Sequence, residues 1–331
     1  MLSAERRIEL ITALGTYLLS DNADWVLAKS RAIQANAWFT EGHIEIAVRN
    51  IVNHFLQESL LHDWVIQYNL PTTQPKKVGI VMAGNIPLVG FHDFLCGFMS
   101  GHYILIKPSS KDAVLITAIV NKLAEWEPAV KEQVTINEFL KGCDAYIATG
   151  SNNSARYFEE YFKKYPHIIR KNRTSVAVLD GTETDEELRL LADDVFTYFG
   201  LGCRNITQVC IPDGYDIGKL MSAFSLYGDI INHHKYKNNY DYYLAIYLLN
   251  RVSYYTNDSL LMIENALPFS AVSVLHYRFY SNKEDIHKEL LHNYDIQCIC
   301  GHGFLPFGNS QMPNLTDYAD GVDTMQFLSA L

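Results

Sequence analysis

Val78-Gly79-Ile80-Val81-Met82-Ala83, followed at once by Gly84-Asn85-Ile86-Pro87, is the stretch on which the fold turns. A short apolar run closed by turn residues reads as a buried strand. The pattern recurs in Tyr103-Ile104-Leu105-Ile106-Lys107, in Ala145-Tyr146-Ile147-Ala148 and in Val176-Ala177-Val178-Leu179. Helix-like segments at Pro87 to Phe98, Lys111 to Trp126 and Ser154 to Lys164 separate these runs. Strands alternating with helical patterns predict an α/β fold with a mostly parallel sheet covered on both faces. Upstream, Ile8, Ile11, Leu14 and Leu18 recur at helical spacing, as does the stretch Ile44 to Val52, and Leu70 to Pro75 reads as a linker or turn. Downstream, Leu188, Leu191, Ala192, Val195, Phe196 and Phe199 form the apolar stripe of a helix that should stop at Gly200-Leu201-Gly202. Ile206 to Ile211 is an expected strand ended by Pro212, Ser270 to Tyr280 another, and Asp285 to His292 a helix. Residues 213 to 260, rich in Tyr and Asn, give no clear period.

Composition bounds the function. The chain has 331 residues, 48% hydrophobic and 19% charged, which excludes a disordered or collagen-like polymer. That length predicts two domains rather than one core. Its 27 basic and 37 acidic residues give a net charge of −10 with no Lys/Arg block, so nucleic acid is not the expected partner. No apolar run reaches about 18 residues, so no membrane span is expected. The opening Met-Leu-Ser-Ala-Glu-Arg-Arg does not read as a signal peptide, and six scattered cysteines (96, 143, 203, 210, 298, 300) suit a reducing, cytoplasmic setting.

Several residues have the chemistry of a site, each with a plainer reading beside it. Cys203 follows Gly-Leu-Gly and reads either as a nucleophile displayed on a tight turn or as an ordinary buried thiol. Asn85 can donate to a developing oxyanion or simply cap a helix beginning at Pro87. Lys107, Ser109 and Ser110 follow one strand, and Thr149, Gly150 and Ser151 another, where a parallel sheet usually binds ligands. Surface turns use the same letters, and the full G-x-G-x-x-G fingerprint is absent. Cys298-x-Cys300-x-His302 is too tight for a structural zinc site, and no metal is expected. His233-His234-Lys235 reads as a solvated stretch or as a contact for a CoA phosphate.

Taken in order, these motifs resemble the aldehyde dehydrogenase superfamily over about residues 76 to 328. Gly84-Asn85-Ile86-Pro87-Leu88 is similar to its W-N-F-P-L, Lys107-Pro108-Ser109-Ser110 to K-P-[SA]-E, Thr149-Gly150-Ser151 to T-G-S, Gly200-Leu201-Gly202-Cys203 to G-Q-x-C, and Pro306-Phe307-Gly308 to P-F-G. The family's E-L-G-G-K matches Ile169 to Arg173 here, so an apolar Ile169 stands where hydrolytic members place a glutamate base. That departure resembles the bacterial luminescence-type acyl-CoA reductases (LuxC-like), for which 331 residues is short.

The resemblance implies a Rossmann-like cofactor domain with the helical N-terminal segment (1–180), a second α/β domain carrying the catalytic cysteine (181–305), and a segment returning to the cofactor domain (306–331). It implies an oxidoreductase that reduces a fatty acyl-CoA, or another activated acyl group, to the aldehyde with NADPH. Cys203 would carry a thioester and Asn85 would hold the oxyanion. Lys107, Ser109, Ser110, Thr149, Gly150 and Ser151 would bind the cofactor, with Ser110 in place of a glutamate favouring NADPH over NADH. Candidate partners are fatty acyl-CoA, an acylated protein, an acyl-transfer enzyme or a second copy of the chain. Another CoA-acylating or phosphate-linked aldehyde dehydrogenase, and a non-catalytic assembly protein of the same fold, are the alternatives.

Overall fold

The computed structural model describes residues 2–70 and 74–331; Pro71, Thr72 and Thr73, the centre of the expected Leu70–Pro75 turn, lie outside the described residues. The chain divides into two compact units, Met1–Asn172 with Pro313–Leu331, and Arg173–Met312.

The first unit begins with four helices, α1 (Ala4–Leu18), α2 (Ala23–Ala35), α3 (Glu41–Phe55) and α4 (Glu58–Val65). Ser3, Asn22 and Thr40 start the first three by accepting backbone N–H groups that have no partner inside the helix. Ile8, Ile11, Leu14 and Leu18 are all buried, on the stripe their spacing predicts. The unit continues through β1 (Lys77–Val81), α5 (Phe91–Ser100), β2 (Tyr103–Lys107), α6 (Ala113–Trp126), α7 (Val130–Gln133), β3 (Val134–Ile136), β4 (Ala145–Thr149), α8 (Asn152–Phe162) and β5 (His167–Arg170). The five strands form a wholly parallel sheet in the order β3-β2-β1-β4-β5. One core joins α1–α4 to this sheet and its helices. Apolar helical stripes cannot stand alone in water, and here they find the sheet's helical layer.

A buried ion pair closes this unit. Arg170, at the carboxyl end of β5, donates from Nη1 to both Asp93 oxygens (2.5 and 2.6 Å) in the first turn of α5. Its Nη2 donates to Thr324 Oγ1 (2.7 Å).

The second unit holds β6 (Thr174–Val178), α9 (Asp185–Phe196), β7 (Ile206–Pro212), α10 (Ile217–Phe224), α11 (His234–Asn250), β8 (Tyr255–Thr256), β9 (Leu261–Glu264), β10 (Val274–Tyr280), α12 (Lys283–Leu291) and β11 (Ile296–Gly301). Its sheet runs β11-β6-β7-β10-β9-β8, parallel except for the antiparallel pair β8–β9 at one edge. Leu188, Leu191 and Val195 of α9 pack with Leu220 and Phe224 of α10 on one face, while Ile286 and Leu290 of α12 cover the other through Val176 and Val178. After Met312 the chain returns to the first unit and ends in α13 (Thr324–Ser329), whose Met325 and Leu328 join the first core.

Two expectations are corrected. Val176 to Leu179 does not extend the first sheet: β6 pairs with β7 and β11, so the compact units divide before this strand rather than after it. The helix after β1 starts at Phe91 rather than Pro87, because Leu88 takes a left-handed turn (φ 56°) and Gly90 occupies the N-cap. The strands β3 and β5 are additions; each is only three or four residues long.

Candidate active site

In the first unit, register places three turns at one edge of the sheet. Val81 pairs with Lys107, and Ala148 with Val81, so Lys107 and Thr149 end their strands, and Asn85 follows β1, at the carboxyl ends of neighbouring parallel strands. The order β3-β2-β1-β4-β5 reverses direction between β1 and β4. Ligands of open α/β sheets bind outside such a switch point.

Local contacts fix these turns. A Cβ on Gly84 would come 2.6 Å from Ser109 Cβ, so only glycine lets the turn after β1 lie against the turn after β2. A Cβ on Gly150 would meet Phe158 and Ser154 at 2.9 Å, which makes glycine necessary where β4 passes into α8. Ser151 caps α8, its Oγ accepting from Ser154 N–H (3.2 Å). Ser109 Oγ accepts from Lys111 N–H (3.2 Å). Lys107 and Ser110 are exposed, the Lys107 ammonium 5.9 Å from the Phe139 ring centre. Asn85 is also exposed and does not cap α5, whose N-cap is Gly90.

Sequence reasoning passed over Asp112. This residue precedes α6 as an N-cap would, yet its Oδ2 accepts instead from Leu88 N–H (2.6 Å) and so holds the strained end of the Asn85 turn. Its Oδ1 is buried without a hydrogen-bond partner, and burial pushes the carboxyl up to about 8, against the opposing pull of the Leu88 N–H. An unfolded Asp titrates near ~3.9, so the folded state retains a proton between about pH 4 and 8, and stability falls as pH rises through that window. Asp112→Asn removes this titration. Its stability relative to the unsubstituted chain should therefore grow with pH, reaching roughly 2–4 kcal/mol at pH 8. Urea midpoints at pH 5 and pH 8 check this; an equal difference at both values would mean that Asp112 is ionised throughout.

In the second unit, Cys203 sits on the turn before β7, at the amino edge of the sheet, and is partly exposed. The path from α9 to this turn is unusual. Tyr198, Phe199 and Gly200 take φ of 56°, 59° and 74° in succession. Non-glycine residues in that region cost about 1–3 kcal/mol each and persist only where the surroundings impose them. Both aromatic side chains are buried, and the Phe199 ring lies 4.2 Å from that of His233. Asn205, wholly buried, completes the clamp. Its Nδ2 donates to the carbonyls of Asp194 (3.0 Å) and Thr197 (2.7 Å), and its Oδ1 accepts from Gly202 N–H (2.8 Å). Ser175 Oγ donates to the Cys203 carbonyl (3.1 Å). Arg204 Nε donates to Ser310 O (2.5 Å), and the Asp194 carboxylate accepts from Gly308 and Ser310 N–H, so the Pro306-Phe307-Gly308 segment is tied to the same edge. Nothing in the sequence distinguishes Asn205 or Ser175 from any other polar residue beside a strand.

The remaining expected sites fall elsewhere. His302 bonds Glu187 (2.9 Å) and Asp180 (3.2 Å) at the carboxyl end of the second sheet, which raises its imidazole above the ordinary range and separates it from the Cys298 thiol. His233 caps α11. No disulfide joins any of the six cysteines.

The sequence model of the family described as acyl-CoA reductase (LuxC) matches residues 30–217. The chain belongs to that family. The LuxC match spans the carboxyl-edge turns and the Cys203 turn alike. A curated relative, long-chain acyl-protein thioester reductase 2 from Photobacterium leiognathi, is 24% identical over 223 residues, covering 61% of this chain and 46% of its own length. The chain thus spans about half of that relative. Solved structures share the fold at low identity. An NAD-dependent benzaldehyde dehydrogenase from Corynebacterium glutamicum aligns with TM-score 0.68 at 10% identity, over 90% of this chain and 76% of that one. A Mycobacterium tuberculosis aldehyde dehydrogenase complexed with NAD+ aligns with TM-score 0.59 at 14% identity, over 86% and 70%. This LuxC-family chain therefore has the aldehyde dehydrogenase-like α/β fold. Among the described residues, no helix is long and apolar enough to cross a membrane.

Proposed function

We propose that this chain reduces a fatty acyl thioester to the aldehyde with NADPH, through an acyl group held on Cys203. The observation that carries this reading is the Cys203 turn itself: a partly exposed thiol on a strained loop clamped by Asn205 and Ser175, in a chain of the acyl-CoA reductase family. Buried structural cysteines have no need of such a support.

The carboxyl edge of the first sheet suits a dinucleotide. It offers an exposed Lys107, the hydroxyls of Ser109, Ser110 and Ser151, and the start of α8 with no acidic residue in its first turn. When bound, the nicotinamide supplies hydride to the acyl carbon. Cys203 thiolate attacks the acyl carbonyl, the carbon–sulfur bond to Cys203 forms, and the donor leaves as a thiolate. We assign the oxyanion to the side-chain amide of Asn85 and the backbone N–H of Cys203. Collapse to the aldehyde returns Cys203 as thiolate. The acyl donor is taken as a CoA thioester, with an acylated protein, named for the Photobacterium relative, as the alternative donor. Six scattered cysteines without the density of a disulfide scaffold suit a cytoplasmic setting. The direct test is NADPH oxidation against acyl-CoAs of graded chain length and against an acylated protein, with aldehyde identified. Absence of aldehyde with every donor would overturn the reading.

Two outcomes follow from named residues. NADPH should be preferred to NADH by kcat/KM, because Ser110 leaves room for a 2′-phosphate where a carboxylate would repel it and Lys107 adds positive charge. A preference for NADH would show that Ser110 does not discriminate. The acyl-enzyme should also persist in plain buffer until CoA removes it, because a thioester needs a base to activate water. Ile169 cannot serve. Glu183 and Glu187 follow the carboxyl end of β6, whereas Cys203 precedes β7, whose start pairs with Ser175. The five residues of β6, about 16 Å, separate them. Decay of pre-formed acyl-enzyme with and without CoA measures this; rapid release of free fatty acid would reveal a base.

A further inference from the structure

We propose that Asp112 is a positioning residue for acyl transfer: its side chain holds the turn after β1 so that the Asn85 amide stays where the oxyanion forms. This rests on the assignment of the oxyanion to Asn85. Of residues 82–90, Asn85 alone is exposed, while Gly84, Pro87 and Leu88 around it are buried. The Asn85 side chain therefore stands on a crest, and the buried flanks of that crest decide where it points.

Three contacts fix those flanks. On the side of β1, a Cβ on Gly84 would come 2.6 Å from Ser109 Cβ and 3.1 Å from the Asp112 nitrogen, so the turn lies directly on the segment that carries Asp112. On the side of α5, a Cβ on Gly90 would come 2.7 Å from Met82 Cγ, so the end of the turn packs against its own beginning. Between these, Leu88 takes a φ of 56° and its N–H donates to Asp112 Oδ2 (2.6 Å). A left-handed leucine persists only where its surroundings impose it. Asp112 is itself held in place. Its N–H donates to the Ser109 carbonyl (3.0 Å), and Asn36 Nδ2, at the end of α2, donates to the Lys111 carbonyl (3.2 Å).

Helix capping does not explain this residue. Asp112 stands at the N-cap of α6, yet its side chain makes no cap bond there. Serine, threonine or asparagine would suit that position without burying an acid. Asp112 is only 7% exposed, and its Oδ1 is buried with no hydrogen-bond partner. An unsatisfied buried oxygen destabilises the fold, and local destabilisation of this kind collects where a backbone geometry serves function. Burial raises the carboxyl to about 8, so at neutral pH it keeps its proton, and asparagine reproduces both its shape and the oxygen that meets Leu88 N–H.

The experiment is a double-mutant cycle on the full chain at neutral pH, with Asp112→Ala, Asn85→Ala and the two combined, and with Asp112→Asn as the conservative variant. The readings are the single-turnover rate of acylation by radiolabelled acyl-CoA, kcat and KM for that acyl-CoA, and NADPH affinity by fluorescence. Asp112→Ala should slow acylation and lower kcat by roughly 10–100-fold, while KM and NADPH affinity stay within about twofold. Asp112→Asn should keep acylation within about threefold of the unsubstituted chain, since the bond to Leu88 remains. Added to Asn85→Ala, Asp112→Ala should change acylation by less than about twofold, because the group it positions is already gone. Asp112→Val, close in volume and without a polar atom, takes the place of Asp112→Ala if the alanine variant does not fold. Losses that multiply in the combined variant, or an Asp112→Asn as slow as Asp112→Ala, would overturn the proposal and leave the oxyanion assignment standing. Unchanged acylation in Asn85→Ala, or no acyl label on the unsubstituted chain, would overturn the assignment on which the proposal rests and the proposal with it.

Discussion

Cys203→Ala is expected to abolish acylation of the chain and to lower aldehyde formation by at least about a thousandfold, since it removes the sulfur assigned to hold the intermediate. Incubation with radiolabelled acyl-CoA and peptide mapping measures the first effect, and NADPH oxidation the second. Nicotinamide cofactor affinity should be unchanged, because the groups assigned to it belong to another sheet. Burial pushes the thiols of Cys96, Cys143 and Cys210 upward, so none is ready to attack a thioester at neutral pH. Label on any of these, or on Cys298 or Cys300 in place of Cys203, would overturn the assignment.

The second large effect is on stability. Asp93→Ala should cost about 3–5 kcal/mol, because it leaves the Arg170 guanidinium buried and unpaired. Both side chains are about 95% enclosed, and Arg170 is already short of one partner at Nε. The double variant Asp93→Ala with Arg170→Met should recover part of the loss, since no buried charge then remains. Urea unfolding of both variants and of the unsubstituted chain is the measurement. A loss under about 1 kcal/mol for Asp93→Ala would show that Arg170 finds another counter-charge or water.

Much of this architecture was legible in the sequence. The expected strands at 78–83, 103–107, 145–148, 176–179 and 206–211 each coincide with an observed strand, because strongly apolar runs closed by turn residues leave the backbone few alternatives. The sheet to which a strand belongs was not legible. Val176 to Leu179 reads like its predecessors, and only its pairing with residues of β7 and β11 places it in the second unit. Residues 213–260 hid α10 and α11 for a different reason. Only Tyr236 and Tyr240 of α11 are buried, so that helix carries almost no apolar stripe to read. The site divides in the same way. The turns after β1, β2 and β4 announced themselves through Gly84, Lys107 and Gly150. Asn205, Ser175 and Asp112 act through hydrogen bonds to backbone groups that only the folded chain brings near them.

The return of the chain after Met312 bears on how the protein is made. Trp64 Nε1 donates to Tyr318 Oη (2.8 Å) across 254 residues of sequence, Tyr68 donates to Asp323 (2.9 Å), and His102 meets the Leu328 carbonyl (2.9 Å). Translation at about 5–20 residues per second puts roughly 10–50 s between the emergence of Trp64 and that of its partner. During that interval the first unit has most of its helices and all five of its strands but not the segment that caps them. The inserted unit has every strand of its own sheet once Gly301 is out. Synthesis therefore inverts the order of the chain: the part begun first is finished last, and in the meantime Trp64, His102 and the Asp93–Arg170 pair wait on partners still inside the ribosome. A nascent chain stalled before Tyr318 would expose that surface, and it is there that a chaperone would find its hold.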